Sequence, residues 1–255
     1  MSMYLRMYVG VGALVLSAGM ATTALAGPDW VEGGDEDMDF LPDAGSLPSS
    51  AQKITGGGPV NTIVGALTGP AAATEGGTGG GDFEDMYQLQ IDNFGNFFVS
   101  SEPTVAATEG PTFLSNISLF LFTGPDHPLG EGIGLLANIN CGGCNSGGAI
   151  LSNMTSDGTS PMLIDGLDYY LAIAGDGRIP VDAFGNPLFF FDGKEPFEVS
   201  GPDGEGGLNP IAGWTGNGAF GEYFIPELFG TNAVPSPGGA SLFAIGALGL
   251  LRRRR

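Results

Sequence analysis

From Asp82 onward, apolar and polar positions follow the period of strands. Residues 86–91 alternate so that Tyr87, Leu89 and Ile91 share one face. Asp92-Asn93-Phe94-Gly95-Asn96 then supplies a turn before residues 97–100, and this pattern predicts a hairpin. Residues 117–122 are apolar at nearly every position and short enough for a strand buried on both faces. Residues 132–137, 149–151, 162–164, 169–174 and 188–191 continue the series, each bounded by the Gly, Pro, Asp or Asn that turns require. Between Gly27 and Val234 no apolar pattern at helical spacing persists over three turns. The expected fold is all-β, a jelly-roll-like β-sandwich.

The stretch before Asp82 reads differently. It is acidic from Glu32 to Asp43, then glycine-rich at Gly56-Gly57-Gly58 and again at residues 76–81, with few aromatics. Residues 60–67 fit one strand, while the flanking glycines predict a loosely ordered lead-in. The domain scheme is therefore residues 1–26, a lead-in at 27–81, a sandwich at 82–232 and a tail at 233–255.

Both ends of the 255-residue chain carry apolar runs. Arg6 precedes an apolar stretch closed by Ala24-Leu25-Ala26, the small-x-small pattern of a cleavable secretory signal helix, so the mature chain is expected to begin at Gly27. An uncleaved N-terminal anchor is the alternative. At the other end, Val234-Pro235-Ser236-Pro237 leads into an apolar run from Gly238 to Leu251 and then Arg252, Arg253, Arg254 and Arg255. As a helix that run spans about 20 Å at ~1.5 Å per residue, short of a ~30 Å hydrocarbon core; snorkelling arginines make up part of the difference. Membrane contact is thus expected through the termini only.

This order of parts, a short Pro motif, an apolar helix and an Arg terminus, resembles the PEP-CTERM sorting signals of bacteria. The resemblance covers about the last twenty residues and implies surface targeting, with secretion machinery and an exosortase-type protease as partners. Ser236 stands where that motif carries Glu between its prolines. A C-terminal anchor that is never cut is the competing reading.

Removing the ends sharpens the charge. All 28 acidic residues lie between Gly27 and Val234, against only Lys53, Arg178 and Lys194, which leaves the body at −25 where the whole chain is −20. Nucleic acid and anionic lipid, which need basic patches, are excluded as partners of the body. The acid excess serves either solubility or divalent-cation sites.

Three places offer such sites. Asp92–Asn96 and Asp182–Asn186 share the pattern Asp-x-Phe-Gly-Asn at predicted strand ends, where Asp92, Asn96, Asp182 and Asn186 offer the oxygens that calcium prefers; simple hairpin turns explain the same residues. The third is Asp82, Glu84 and Asp85, with Asp168 expected to approach them by sheet pairing.

A second resemblance runs through that cluster. Asp82-Phe83-Glu84-Asp85-Met86-Tyr87-Gln88-Leu89, then Ser118-Leu119-Phe120-Leu121-Phe122, then Gly166-Leu167-Asp168-Tyr169-Tyr170-Leu171-Ala172-Ile173-Ala174-Gly175 resemble, in order, three strands of bacterial pre-peptidase C-terminal domains. The span is roughly residues 81–177, and Cys141–Cys144 interrupts it. The resemblance implies a compact accessory β-sandwich, often calcium-stabilised, without catalysis of its own.

Cys141-Gly142-Gly143-Cys144 holds the two cysteines. In an exported chain the default is a small-ring disulfide; a redox pair or a metal site are the alternatives, the first lacking a βαβ setting and the second lacking soft ligands beyond His127. Catalytic signatures are absent: His127 has no Gly-x-Ser-x-Gly elbow, and residues 76–81 lack the Lys-Ser/Thr of a phosphate loop. The sequence thus describes an exported, surface-sorted, non-catalytic protein of the envelope or extracellular polymer matrix. Its rivals are a carbohydrate-binding module built on Trp214, Phe220, Tyr223 and Phe224, and a secreted hydrolase with an unrecognised site.

Overall fold

The computed structural model describes residues 29–34, 42–69, 81–104, 116–139, 147–190 and 198–235. The signal segment with Ala26, the tail from Ser236 through Pro237 and the four arginines, and both cysteines lie outside these residues. Among the described residues no helix is long and apolar enough to cross a membrane.

The chain is all-β. Its strands are β1 (Trp30–Val31), β2 (Gln52–Lys53), β3 (Ile63–Leu67), β4 (Glu84–Ile91), β5 (Phe98–Pro103), β6 (Ile117–Thr123), β7 (Gly134–Asn138), β8 (Ile150–Ser152), β9 (Leu167–Gly175), β10 (Ile179–Val181), β11 (Gly213–Thr215), β12 (Gly221–Phe229) and β13 (Thr231–Asn232). Two of the sheets make the body. One has the order β1-β3-β12-β5-β8; the other runs β13-β4-β9-β6-β7, with β2 added beside β4.

Alternation on the strands explains how these sheets meet. Tyr87, Leu89 and Ile91 of β4, Leu119 and Leu121 of β6 and Leu171 and Ile173 of β9 share one core with Ile63 and Leu67 of β3, Val99 of β5 and Tyr223, Ile225 and Leu228 of β12. The opposite face of the β4-β9-β6 sheet is covered too. Met86, Phe120, Phe122, Tyr170 and Ala172 pack under Leu188, Phe189 and Ile211, with Trp214 against them. Strand β6 is buried at all seven positions for this reason, as its nearly continuous apolar run predicts.

Several expectations change. The predicted hairpin at 86–100 does not form: β4 pairs with β9 and β5 with β12 and β8, so the turn around the 3-10 segment Phe94–Asn96 carries the chain from one sheet to the other. Residues 188–190 form a bend, because Leu188 and Phe189 serve as plugs over the outer face instead of pairing. Residues 162–164 make no ladder either. The Tyr169 hydroxyl accepts from the Ile164 N–H at 2.7 Å and donates to the Ile164 carbonyl at 3.0 Å, replacing ladder bonds with one side chain.

Nor is the stretch before Asp82 a loose lead-in where it is described. Strand β3 sits inside the first sheet, antiparallel to β12 from Ile63↔Ile225 to Leu67↔Gly221, and Ala44, Ile54 and Val60 are buried in the common core. Strand β2 lies parallel to β4, Gln52 opposite Tyr87. The apolar residues between the glycines outweigh the glycines' freedom, since Ala44, Ile54 and Val60 find places between the sheets and Leu47 and Ala51 pack against the outer face.

Candidate functional site

Asp85 belongs to the face of β4 that carries Tyr87, Leu89 and Ile91, so the strand's own alternation drives a carboxyl between the sheets. It is 0% exposed. From the facing sheet the Tyr223 hydroxyl donates to Asp85 Oδ2 at 2.6 Å, and the Tyr87 hydroxyl lies 2.6 Å from that of Tyr223. Because Tyr223 commits its proton to Asp85, Tyr87 is the donor of the second bond.

Two more carboxyls join Asp85. Glu32, on the 3-10 turn that follows β1, is buried and accepts from the Ala44 N–H at 3.2 Å and the Ala66 N–H at 2.8 Å. Asp43 is exposed and brings its carboxyl within hydrogen-bonding reach of Asp85. One carboxylate oxygen from each of Glu32, Asp43 and Asp85 lies within 4.8 Å of the other two. Gly65 makes room for them. It lies opposite Tyr223 in the ladder, where any Cβ would collide with the Tyr223 hydroxyl and sit 2.8 Å from Glu32 Oε2.

Asp82 flanks the group. Its Oδ2 accepts from the Thr68 N–H at 2.6 Å and the Thr68 hydroxyl at 3.0 Å. Asp82 Oδ1 and Asp85 Oδ1 are both buried without a hydrogen-bond partner. Such orphans are costly, about 1–3 kcal/mol each or more where charged.

Electrostatics follow from the burial. Desolvation pushes Glu32 up to about 8 against the relief of the Ala66 N–H, and Asp82 up to about 7 against that of the Thr68 N–H. Asp85 is pushed well above the usual carboxylate range by desolvation and then by the charges of Glu32 and Asp82. Burial raises Asp43 as well. Compensating cations are few: Lys53 and Arg178 are the only basic residues other than His127 among those described. Arg178 pairs with Glu84, donates from Nη1 to the Gly216 carbonyl at 2.7 Å and lies 5.5 Å from the centre of the Phe83 ring. Lys53 is exposed and acts on Asp168.

The sequence-predicted residues are therefore divided. Asp85 enters the cluster, Asp82 lies alongside and acts on it through its charge, and Glu84 turns to Arg178. Asp168 does not come near: the antiparallel pairing sets it opposite Gln90, with Glu84 opposite Ala174 at the other end, and its Oδ2 accepts from Gln88 Nε2 at 2.7 Å.

Asp182 is buried and saturates itself. It accepts from the N–H groups of Phe184 at 2.8 Å and Asn186 at 2.9 Å and from the side-chain amides of Asn186 at 3.2 Å and Asn209 at 2.7 Å. Burial raises its carboxyl, but these donors outweigh it and leave the group below its ordinary value. Asn186 spends its amide inside the turn. Asp92 is exposed and accepts from Asn232 Nδ2 at 2.8 Å, and Asn96 is exposed at the end of its 3-10 segment. The geometry of both loops is that of turns.

Trp214 is half-buried and packs on the outer face of the β4-β9-β6 sheet. Its ring lies edge-on to Phe120 at 5.3 Å and Phe122 at 6.4 Å, and its Nε1 donates to the Ser46 carbonyl at 2.7 Å. Tyr223 is fully buried. His127, also buried, accepts from the Leu129 N–H on Nδ1 and so bonds the Met162 carbonyl through Nε2–H at 3.0 Å. Pro235 is exposed where the described chain ends.

Glu32 and Asp43 escaped sequence reasoning because only the fold brings them across from the stretch before β2. One signal was present: an acid placed directly after the apolar pair Trp30-Val31. The chain matches no protein-family model, and no curated protein or solved structure shows significant similarity to it.

Proposed function

We propose that this is an exported, surface-sorted protein of the bacterial envelope or extracellular polymer matrix, a non-catalytic, calcium-stabilised β-sandwich of jelly-roll type. A signal helix at residues 1–26 takes it out of the cell. A tail at 233–255, with its apolar run from Gly238 to Leu251 as a helix, holds it at the membrane until an exosortase-type protease acts near Pro235-Ser236-Pro237. Extracellular polysaccharide is its expected surrounding partner.

The observation that carries this reading is the division of charge and chemistry along the chain. Five of the eight basic residues lie at the two ends, in or beside apolar runs, while every acidic residue lies in the body between them. Inside the body, the polar groups gathered between the sheets are carboxyls and two tyrosines, a set suited to holding protons or a hard cation. The only histidine is turned to a loop carbonyl. Fractionation with intact-mass analysis tests the reading. A surface-released form beginning at Gly27 and lacking Arg255 is expected, and an unprocessed chain in the cytoplasm would overturn it.

A further inference from the structure

We propose that Glu32, Asp43 and Asp85 bind a single calcium ion, and that this ion fastens the turn after β1 and the approach to β2 onto strand β4. The inference rests on the export reading for the supply of calcium and names the site at which that reading's calcium acts.

The acidic residues alone would not carry it. The decisive feature is Asp85, a side chain with no exposure at all, whose Oδ1 has no donor while its Oδ2 takes the Tyr223 proton. Asp82 Oδ1, beside it in the same interior, is orphaned too. A buried carboxylate oxygen lacking a donor is satisfied either by a proton or by a cation. The arrangement of its neighbours distinguishes the two, because a proton needs one acceptor and a metal needs several.

Several are present. One carboxylate oxygen from each of the three residues lies within 4.8 Å of the other two, and two ligands on opposite sides of a calcium ion stand about that far apart at ~2.4 Å per bond. Three carboxylates supply at least three of the roughly six to eight oxygens that calcium takes, and water or second carboxylate oxygens complete the set. The N–H bonds to both oxygens of Glu32 occupy one lone pair each and fix the carboxylate's orientation. All the donors are hard oxygens, with no imidazole or thiolate among them, which selects against zinc and copper. Gly65 keeps a Cβ out of the space between Tyr223 and Glu32. Asp43, the exposed member, gives the ion its way in.

The three ligands come from three parts of the chain: the 3-10 turn at Glu32–Gly34, the residue before Ala44, and β4. Binding therefore joins the region before β2 to the sandwich. Extracellular calcium modules have dissociation constants of about 10⁻⁴ to 10⁻³ M, so a site of this kind fills outside the cell and empties within it. The seating of that region becomes a step completed by export.

The test uses the full chain purified in mild detergent and stripped with chelator. Terbium, a calcium substitute, is the probe, since Tyr223, bonded to Asp85, and Tyr87 beside it stand close enough to sensitise its emission. One terbium per chain, displaced by calcium but not by equimolar magnesium, is expected, with a calcium-dependent rise in melting temperature. Asp43→Asn, at an exposed position and with the side chain's size and one oxygen acceptor kept, should weaken binding at least tenfold, and Asp85→Asn should abolish it. Asp182→Ala should leave it unchanged. Unaltered melting in saturating calcium, or full affinity in Asp43→Asn, would overturn the site. Neither result depends on where the cell places the protein, and a cytoplasmic location would refute export while leaving the binding result standing.

Discussion

The Tyr223 hydroxyl on β12 donates to Asp85 Oδ2 on β4 at 2.6 Å, a single hydrogen bond that crosses the space between the two principal sheets. Tyr87 stands behind it, 2.6 Å from the same hydroxyl. Tyr223→Phe keeps the ring and removes the donor, leaving a second Asp85 oxygen bare. A loss of about 1.5–3 kcal/mol in denaturant-monitored stability is expected, and Tyr87→Phe should cost less, about 1 kcal/mol.

Gly65 lies opposite Tyr223 and has no room for a methyl group. Gly65→Ala should cost about 1–3 kcal/mol by overpacking. It should also weaken terbium binding, because the added carbon meets Glu32 Oε2 as well as the tyrosine.

Acidity should act on the cluster in a direction opposite to ordinary acid denaturation. In chelator, folded Glu32 keeps its proton up to about 8 and folded Asp82 up to about 7, while in the unfolded chain both release it near their ordinary values of 4.5 and 3.8. The folded state then binds more protons, so its stability is full below those ordinary values and is lost as pH rises through about 7 and 8. Melting in chelator from pH 5 to 9 should show that decline. Calcium competes with the same protons, so its stabilising effect should be largest at the alkaline end, and a calcium effect that grew on acidification would contradict this.

Asp182 behaves with the other sign. Its carboxyl is held below the ordinary value by four donors, so its contribution is present above pH ~3.8 and disappears as pH falls further. Asp182→Ala should lower the melting temperature equally with and without calcium. A difference between the two conditions would move the cation to this loop.

Trp214→Ala separates packing from recognition. With its ring against Phe120 and Phe122, truncation should cost roughly 3 kcal/mol. A variant of unchanged stability that no longer bound polysaccharide would favour the carbohydrate-binding module instead.

Strands β4, β6 and β9 were legible because their sequences record which faces are buried: alternation in β4, continuous apolar character in β6 and β9. Strand β12 was not. Pro226 interrupts it, and the register against β5 shifts between Phe224 and Glu227, so its apolar residues lose the clean period of two. Its aromatics looked like candidates for an exposed platform, yet Tyr223 is interior. The chemistry divides similarly. Asp82, Glu84 and Asp85 are neighbours in the chain and attract notice together. Glu32 and Asp43 become their partners only through long-range pairing such as β1 with β3, and Asp168 loses its place once the direction of β9 is known. Local pattern identifies one wall of a site, and topology decides which residues form the others.

Strand β4 has one side paired with β9; its other side is shared by two short neighbours, β2 along Tyr87 and Gln88 and β13 along Gln90 and Ile91. One of these neighbours comes from early in the described chain and the other from its end. Between them they occupy backbone groups of Tyr87, Gln88, Gln90 and Ile91 that a strand from a further copy of the protein could otherwise pair with, which blunts this side of the sheet against edge-to-edge association.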